Sequence, residues 1–575
     1  MSQHPELLEA FCRAIRPPSR QAPDQWAAQH VRLNSDIAEY YDPGATPALQ
    51  QPFRRFFDNA MRELNVVAPP GIGKTTLFEA AICYIAAEDP GDVLVASKNE
   101  ELLEQWLDAR LNPILSRCEP IREYMPRSSD RQKKLLLLKH MFVAARAANE
   151  ASLQQISVRW ALGDECWMWN QGLIGYLRKR LHDRWNGRLI LVSQAGYEGS
   201  EWHQACELGE QYRFHWRCAC GAASEFRDAQ LRWNGDEDKE APIDWRRVRE
   251  SVRLVCPACE KQYPDTAENR RQLVSAARWE LVRPGEEPAR ETYVIPAMAN
   301  FRVPWSRLAM EFLKARAALK LGDREPWFQY LTQRSSRFWR DDFQDDRKTE
   351  LRTALYSWHA YAAGQKIERE AVRFLTIDRQ SDHFWCLVRA FRDDGASRLV
   401  YYGKALTEEE LRELQLRYQV EDRFVFQDAS YDSDAVYKQC AKFGWFALHG
   451  TGETAFEHPK KDALGRVVGK EYRVYSRIRE VAVGKVKARL IFLASERLKD
   501  ITAYLRDGKS LGWEVPGDVG PEYRAQIFGE AKREMVNPKT KRSEYRWVRT
   551  SHQNHAFDVE YYATAAAIIA GVLSL

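Results

Sequence analysis

The sequence lacks any apolar run long enough to cross a bilayer. A span needs about 20 residues, and the most apolar terminal stretch, Ala563–Leu575, is shorter and alanine-rich. It reads as a closing helix, and no membrane partner is expected. A secretory leader is also missing: Met1–Pro18 carries Glu6, Glu9 and Arg13 and no long apolar stretch. Charge bias is nearly absent. Lysine plus arginine number 86 and aspartate plus glutamate 81, a net +5 over 575 residues. That excludes a simple basic nucleic-acid coat protein but not an enzyme whose basic surfaces are local. There is no disulfide framework: the 11 cysteines are odd in number and only four sit in pairs. This is the pattern of a reducing cytoplasm with one candidate metal site. Internal repeats and long low-complexity tracts are absent.

What is present is ordinary in bulk, with 45% apolar and 29% charged residues. At about 100–200 residues per domain, the length predicts three or four units. The 19 tryptophans are unusual and scattered. They read as core and groove packing rather than a base-stacking platform.

Leu64–Ala68 is an apolar strand that runs into Ala68-Pro-Pro-Gly71-Ile-Gly73-Lys74-Thr75-Thr76, and a helical pattern follows to about Ala87. Strand, glycine loop ending in Lys-Thr, then helix is the context a phosphate loop requires. Loop amides and the helix N-terminus cradle phosphates. Lys74 would reach the β/γ-phosphates of ATP and Thr75 the Mg²⁺, with Gly71, Gly73 and Thr76 completing the nucleotide contacts. Val158–Gly163 is a later apolar strand ending in Asp164-Glu165. Asp164 would hold Mg²⁺, and Glu165 would orient or deprotonate the attacking water. Leu189–Ser193 ends in Ser193-Gln194, where a polar strand end either senses the γ-phosphate or is an ordinary loop. Further strands at Asp92–Ser97 and Met141–Ala145 alternate with helices, which predicts a parallel α/β sheet, a P-loop ATPase of the ASCE type.

Cys218-Ala-Cys220 and Cys256-Pro-Ala-Cys259 group four thiolates in a way that suits tetrahedral Zn²⁺. The first pair is one residue shorter than the usual knuckle, so His215 or Cys206 are alternative ligands, and a metal-free ribbon is the competing reading. Four cysteine ligands leave no open position, which makes such a site structural.

The last third begins with strands at Phe374–Ile377, His383–Ala390 and Ser397–Tyr402, followed by a helix capped by Thr407 and Glu410. A strand at Phe424–Gln427 ends at Asp428, and a helix from about Asp432, a strand at Trp445–Leu448 and a late helix after Asn554 follow. This is the element order of a ribonuclease-H-like core. In that order Asp378 and Asp428 lie side by side, and Asp558 on the last helix joins them. Three carboxylates hold two divalent cations, Mg²⁺ or Mn²⁺, for in-line phosphodiester hydrolysis. Asp434 is a candidate accessory ligand; any one aspartate, Asp428 above all, could instead cap a helix. Residues 456–487 are rich in basic residues. Residues 531–550 hold seven lysines and arginines (Lys532, Arg533, Lys539, Lys541, Arg542, Arg546, Arg549), with Trp547 among them. Either phosphate-backbone contact or a solvated basic face accounts for them.

An ATPase with Asp-Glu followed by a three-aspartate nuclease resembles the large subunit of the tailed-phage terminase, in its lambda-type subgroup. The residues carrying the likeness are Gln25-Trp26-Ala27, Thr46-Pro47, Gly71–Thr75, Gly163–Glu165, Leu191–Gln194, the cysteine pairs and Phe338-Trp339. Ile377–Gln380, Asp428–Asp434 and Asn554–Glu560 complete them. The resemblance implies a motor that drives double-stranded DNA into the procapsid and a nuclease that cuts concatemeric DNA. It further implies a ring docked on the portal, a small terminase subunit as partner, and the cytoplasm of the infected bacterium rather than the mature virion as location. Many relatives place an arginine inside the phosphate loop, where this chain has Pro69-Pro70; Arg146 and Arg178 are candidates to replace it. The expected layout is an N-terminal arm (1–52), the ATPase (53–345) with a cysteine-rich insert (about 214–265), a linker (346–370) and the nuclease (371–575). An ATP-dependent nuclease or translocase of DNA repair or restriction is the alternative.

Overall fold

Strand-forming runs of Val, Leu and Ile alternate with helices along the first half, and they build one sheet. The computed structural model describes residues 21–33, 39–126, 134–154, 156–235, 243–287, 289–320, 322–340, 351–360, 362–462, 465–508, 511–536, 543–551 and 553–574. These fall into two compact units, one comprising the residues up to 312 together with 328–340, the other 313–327 together with the described residues from 351 onward.

In the first unit the strands are β1 (Glu63–Val67), β2 (Val93–Ser97), β3 (Leu135–Leu137), β4 (Phe142–Ala147), β5 (Trp160–Asp164), β6 (Arg188–Ser193) and β7 (Glu210–Arg217). They continue with β8 (Ala223–Glu225), β9 (Leu231–Arg232), β10 (Arg253–Val255), β11 (Gln262–Pro264), β12 (Arg278–Arg283) and β13 (Arg290–Val294). The main sheet runs β12-β7-β13-β1-β6-β5-β2-β4-β3, with β8 on β7. From β7 through β4 the neighbours are parallel, while β12, β3 and β8 are antiparallel additions. Strands such as β1 and β6 are buried along their whole length, as parallel strands covered on both faces must be. The cysteine insert leaves the end of β7 and carries the separate sheet β11-β10-β9. Strands β12 and β13 both belong to the main sheet. Part of the expected N-terminal arm packs on the phosphate-loop helix Lys74–Glu88. Trp26 Nε1 donates to Glu88 at 2.9 Å, its ring meets Tyr84 edge-on, and Arg54 pairs with the buried Asp24.

The second unit contributes β14 (Thr353–Ala354), β15 (Glu370–Arg379), β16 (Phe384–Arg392), β17 (Ser397–Ala405), β18 (Val425–Asp428), β19 (Phe446–Thr451), β20 (Phe456–Lys461) and β21 (Val467–Arg473). After them come β22 (Arg479–Val483), β23 (Val486–Ala494), β24 (Trp513–Pro516), β25 (Glu530–Val536) and β26 (Ser543–Arg549). The sheet order is β14-β24-β17-β16-β15-β18-β19-β23-β22. Its centre is the antiparallel meander β15–β17 with β18 and β19 added in parallel on the other side of β15. The segment expected as a linker supplies β14, paired with β24. Alternation along β15 sorts its side chains: Phe374 joins the core under the last helix, while Leu375 and Ile377 join the opposite core. That last helix, His555–Ile569, is buried on nearly every side, so it is a core helix rather than a surface one.

Many of the tryptophans are packing residues, though Trp185 and Trp245 are exposed. Trp26, Trp160, Trp202, Trp216, Trp305, Trp445 and Trp513 are among the largest fully buried side chains. Among the described residues, no helix is long and apolar enough to cross a membrane.

Candidate active sites and metal centre

The phosphate loop follows β1. Gly71 and Gly73 adopt φ values of 79° and 99°, left-handed conformations in which a side chain is strained, and Gly73 caps the helix Lys74–Glu88. Two such residues in three turn the loop back over the helix N-terminus. Lys74 is buried, and its Nζ donates to the carbonyls of Ala68 (3.4 Å) and Pro69 (3.2 Å) and lies 3.9 Å from Glu165. Burial lowers its pKa, against the opposing pull of Glu165 and Asp164. Thr75 and Thr76 stand in the first helical turn.

Asp164 ends β5, and its carboxyl is pushed up to about 6 by burial and then by the neighbouring Glu165. Glu165 sits at φ 51°, a conformation rare for a residue with a side chain, next to the nucleotide loop. Three contacts hold this turn: the Glu165 amide donates to Val192 O (3.1 Å), the Trp167 indole donates to Glu165 Oε2 (3.0 Å), and the Trp167 amide donates to Ser193 Oγ (3.0 Å). Gly163 is needed for packing, since a Cβ there would lie 2.7 Å from Leu191 Cδ2 and 3.0 Å from the Trp169 ring. Strand β6 runs between β1 and β5, with Ser193 beside Val67 and Val192 beside Asp164. Gln194 is therefore placed between the loop and the Asp-Glu pair, and its buried Nε2 has no hydrogen-bond partner. A buried Lys, two carboxylates and an unsatisfied amide donor fit a nucleotide with its cation.

Both arginine candidates already have partners. Arg178 makes a two-pronged pair with the buried Glu63 (2.8 and 2.7 Å), and Arg146 donates to the carbonyls of Lys134 and Ala145.

Cys218, Cys220, Cys256 and Cys259 bring their sulfurs within 4.8 Å of one another. The short first pair does not prevent convergence. Tyr263 braces it: its hydroxyl accepts the Ala219 amide (3.0 Å) and lies 3.2 Å from Cys218 Sγ. Burial would raise the Cys218 thiol, but hydrogen bonds from the Cys220 backbone and Tyr263 outweigh it and leave the thiol at about 6. A thiolate set of this geometry fits zinc. Neither alternative ligand belongs to this group: His215 Nδ1 lies 2.9 Å from Glu280, and Cys206 is buried in the ATPase core.

In the second unit Ile377 and Gln427 are register partners on parallel β15 and β18. Asp378 and Asp428 thus stand next to each other at the carboxyl ends of adjacent strands. Thr376 Oγ1 donates to Val559 O at 2.8 Å, which fixes the last helix across β15 and brings Asp558 to the same end. Asp378 Oδ2 is bonded to His555 Nδ1 (2.7 Å) and accepts from Gln380 Nε2 (2.9 Å). Asp428 accepts from Ser430 Oγ (2.9 Å). Asp432, not Asp428, caps the next helix, and Asp434 lies in that helix's first turn. Burial, reinforced by the charge of Asp378, raises the Asp428 carboxyl. Asp558 is pushed up to about 8 by burial, Lys499 opposing and Glu530 and Asp378 adding to the rise. Among the described residues, no carboxylate set is drawn as tightly as the four cysteines.

Four neighbours carry no role in the sequence reading: Lys499, Glu530, Asn554 and His555. Lys499 Nζ pairs with Glu530 (2.6 Å) and lies 4.0 Å from Asp558. Asn554 Nδ2 donates to both Glu530 (2.8 Å) and Asp558 (2.7 Å), which leaves its buried Oδ1 without a partner. Asn554 and His555 stand inside a quoted motif; nothing local in the sequence marks Lys499 or Glu530. Three like charges and an unsatisfied oxygen donor fit a hard divalent cation. The basic stretch is corrected in part. Lys532 and the Trp547 indole both turn inward to Asp500, at 2.7 and 2.8 Å, while Lys539, Lys541 and Arg542 lie outside the described residues.

Two family descriptions cover this chain: "Phage terminase large subunit gpA, ATPase domain" matches residues 35–279, and "Terminase large subunit gpA, endonuclease domain" matches residues 291–574. The chain belongs to the phage terminase large subunit gpA family. It is a DNA-packaging ATPase joined to an endonuclease, which sets aside the repair or restriction alternative. The endonuclease match starts at residue 291, within β13 of the ATPase sheet. No curated protein matches in sequence. Among solved structures, the large terminase of bacteriophage HK97 aligns at 11% identity and TM-score 0.35, covering 95% of this chain and 99% of that one. The large terminase of the thermophilic bacteriophage D6E aligns at 10% identity and TM-score 0.32, covering 90% and 98%. The ATPase domain of the Thermus phage P74-26 large terminase aligns at 8% identity and TM-score 0.31, covering 50% and 92%.

Proposed function

We propose that Gly71, Gly73, Lys74, Thr75 and Thr76 hold the phosphates of ATP, that Asp164 holds its Mg²⁺, and that Glu165 activates the attacking water. Gln194, just past the end of β6 and with a buried amide nitrogen that has no hydrogen-bond partner, reads the γ-phosphate. DNA is cut at Asp378, Asp428 and Asp558, which hold Mg²⁺ or Mn²⁺. A divalent cation there supplies Lewis-acid activation of the scissile phosphate. The chain's own residues do the rest: Asp378 is oriented by His555 and Gln380, Asp428 by Ser430, and Asp558 by Asn554. The observation that carries this reading is the register of β15 and β18, which sets Asp378 beside Asp428.

The four cysteines hold a structural zinc. The chain acts on double-stranded DNA in the host cytoplasm, as a ring docked on the portal of the procapsid with a small terminase subunit. The charge-stabilising arginine comes from a residue other than Arg146 or Arg178. The layout is an N-terminal arm (1–52), an ATPase (53–345) with its cysteine insert, a linker (346–370) and a nuclease (371–575).

Packaging with purified procapsids, small subunit, DNA and ATP, scored as DNA protected from added nuclease, tests the motor. Protection that requires Lys74 and Glu165 supports it; protection undiminished in Glu165→Ala refutes the ATPase assignment. Metal analysis is expected to give about one zinc per chain, lost in Cys256→Ser.

A further inference from the structure

Resting on the nuclease reading above, the geometry points to Lys499 as a built-in cation that makes the metal positions of this site unequal: it competes for Asp558 and is restrained from doing so by Glu530.

Lys499 lies on the helix Ser495–Arg506, and Glu530 starts β25, so neither belongs to the strands that carry Asp378 and Asp428. The lysine is largely enclosed, its side chain 15% exposed, and Glu530 is 5% exposed. Its ammonium contacts Glu530 at 2.6 Å and stands 4.0 Å from the free oxygen of Asp558. It also lies over the Tyr561 ring, 5.3 Å from the centroid. The other oxygen of Asp558 already accepts from Asn554, whose amide bridges to Glu530. Asp558 therefore offers one oxygen, and that oxygen faces a fixed positive charge. Among the described residues Asp378 and Asp428 face no such lysine; their partners are His555, Gln380, Ser430 and Tyr562.

A cation held by Asp378 and Asp428 meets two carboxylates and, among the described residues, no ammonium. A cation using Asp558 meets the ammonium as well, and unit charges at such distances inside a protein interact by more than in water. The first is expected to bind tightly and the second weakly. Glu530 sets how weakly. Its contact with Lys499 is the shorter, so it draws the ammonium away from Asp558, and Asn554 couples the two carboxylates. Lys499 and Glu530 thus act through Asp558 as positioning residues.

The test is Mn²⁺ binding to the full chain, followed by electron paramagnetic resonance without nucleotide and after zinc saturation. The wild-type protein is expected to show two classes of site at least tenfold apart. Lys499→Met removes the competing charge and frees Glu530, so the weak class is expected to tighten at least fivefold. Glu530→Gln releases the ammonium toward Asp558, so the weak class is expected to loosen at least threefold. A pair that merely stabilised the fold would weaken Mn²⁺ binding in both variants, and that result overturns the proposal, as does a single class of equal sites in the wild type. Thermal unfolding controls for folding; Lys499→Gln, which keeps a polar tip for Glu530, replaces Lys499→Met if the latter is unfolded, with the same sign expected. Asp378→Asn is expected to remove the tight class. If it leaves both classes intact, the nuclease assignment itself fails, a result distinct from the failure of Lys499 alone.

Discussion

The phosphate loop and the aspartate cluster both gather charge at the carboxyl ends of parallel strands, but they are held by different means. The loop is a contiguous run, residues 68–76, shaped by two left-handed glycines and completed by the strand end Asp164-Glu165 two strands away. Its own lysine, Lys74, sits 3.9 Å from Glu165 and offsets the two carboxylates. The aspartates come from positions 378, 428 and 558, and side-chain hydrogen bonds hold each one separately. The lysine close to Asp558, Lys499, is paired with a fourth carboxylate, Glu530. The first site is preorganised by backbone and is nearly balanced in charge. The second depends on the packing of a distant helix and is left with excess negative charge for a metal to take up.

Substitutions that separate the two sites test this contrast. The largest effect is expected from Asp378→Asn. Loss of a central ligand should reduce Mg²⁺- or Mn²⁺-dependent plasmid cleavage by roughly a thousandfold or more while ATP hydrolysis stays intact. Unchanged nicking would remove the cluster from the chemistry. Lys74→Ala should lower ATP hydrolysis by about 10²–10³-fold, since a charge aimed at the developing phosphate charge is lost. DNA cutting in this variant should remain measurable. If either substitution silenced both activities in a folded protein, the sites would not be chemically separate.

A third substitution addresses how the aspartates are held. Glu560 is fully buried on the helix that carries Asp558, and it accepts two bonds from Arg389 (2.7 and 2.8 Å) and one from the Tyr523 hydroxyl (2.5 Å). Arg389 lies over Trp513 and donates to Ser397. Replacing Glu560 with Gln leaves a buried guanidinium without its counter-charge, which costs about 3–5 kcal/mol when one partner of such a pair is lost. The expected outcome is early unfolding of the nuclease unit in urea, with the unfolding of the ATPase unit unmoved.

The same contrast explains what was legible in the sequence. The placement of Gly71–Thr76 and Asp164-Glu165 could be read because each lies at the end of an apolar strand, and local spacing is enough to set it. Asp378 and Asp428 were readable only through topology: element order made their strands neighbours, and β15 and β18 are in fact paired. Lys499 and Glu530 carried no signal, because their place depends on how a helix and a hairpin fold against the last helix. Arg178 looked like a free cation and is instead a structural partner of Glu63 at the start of β1. Lys532 and Trp547 looked like a DNA-facing patch, yet both satisfy the buried Asp500. A charged residue in sequence carries no mark of the partner that will neutralise it. Glu560, quoted within the Asn554–Glu560 motif, proves to be the anchor of its helix rather than part of the site.

The smallest expected effect probes the ATPase turn itself. Glu165 is held in a left-handed conformation, and the Trp167 indole donates to its carboxylate at 3.0 Å. Trp167→Phe keeps the ring and the backbone bond from the Trp167 position to Ser193 but deletes that one donor. The loss is about 1 kcal/mol, or roughly fivefold in rate. On the proposed role of Glu165, activation of the attacking water rather than binding of the nucleotide, the fall should appear in kcat while KM for ATP holds steady. A rise in KM at constant kcat would instead place Trp167 in nucleotide binding. The backbone-built site would then lean on side chains as much as the nuclease site does.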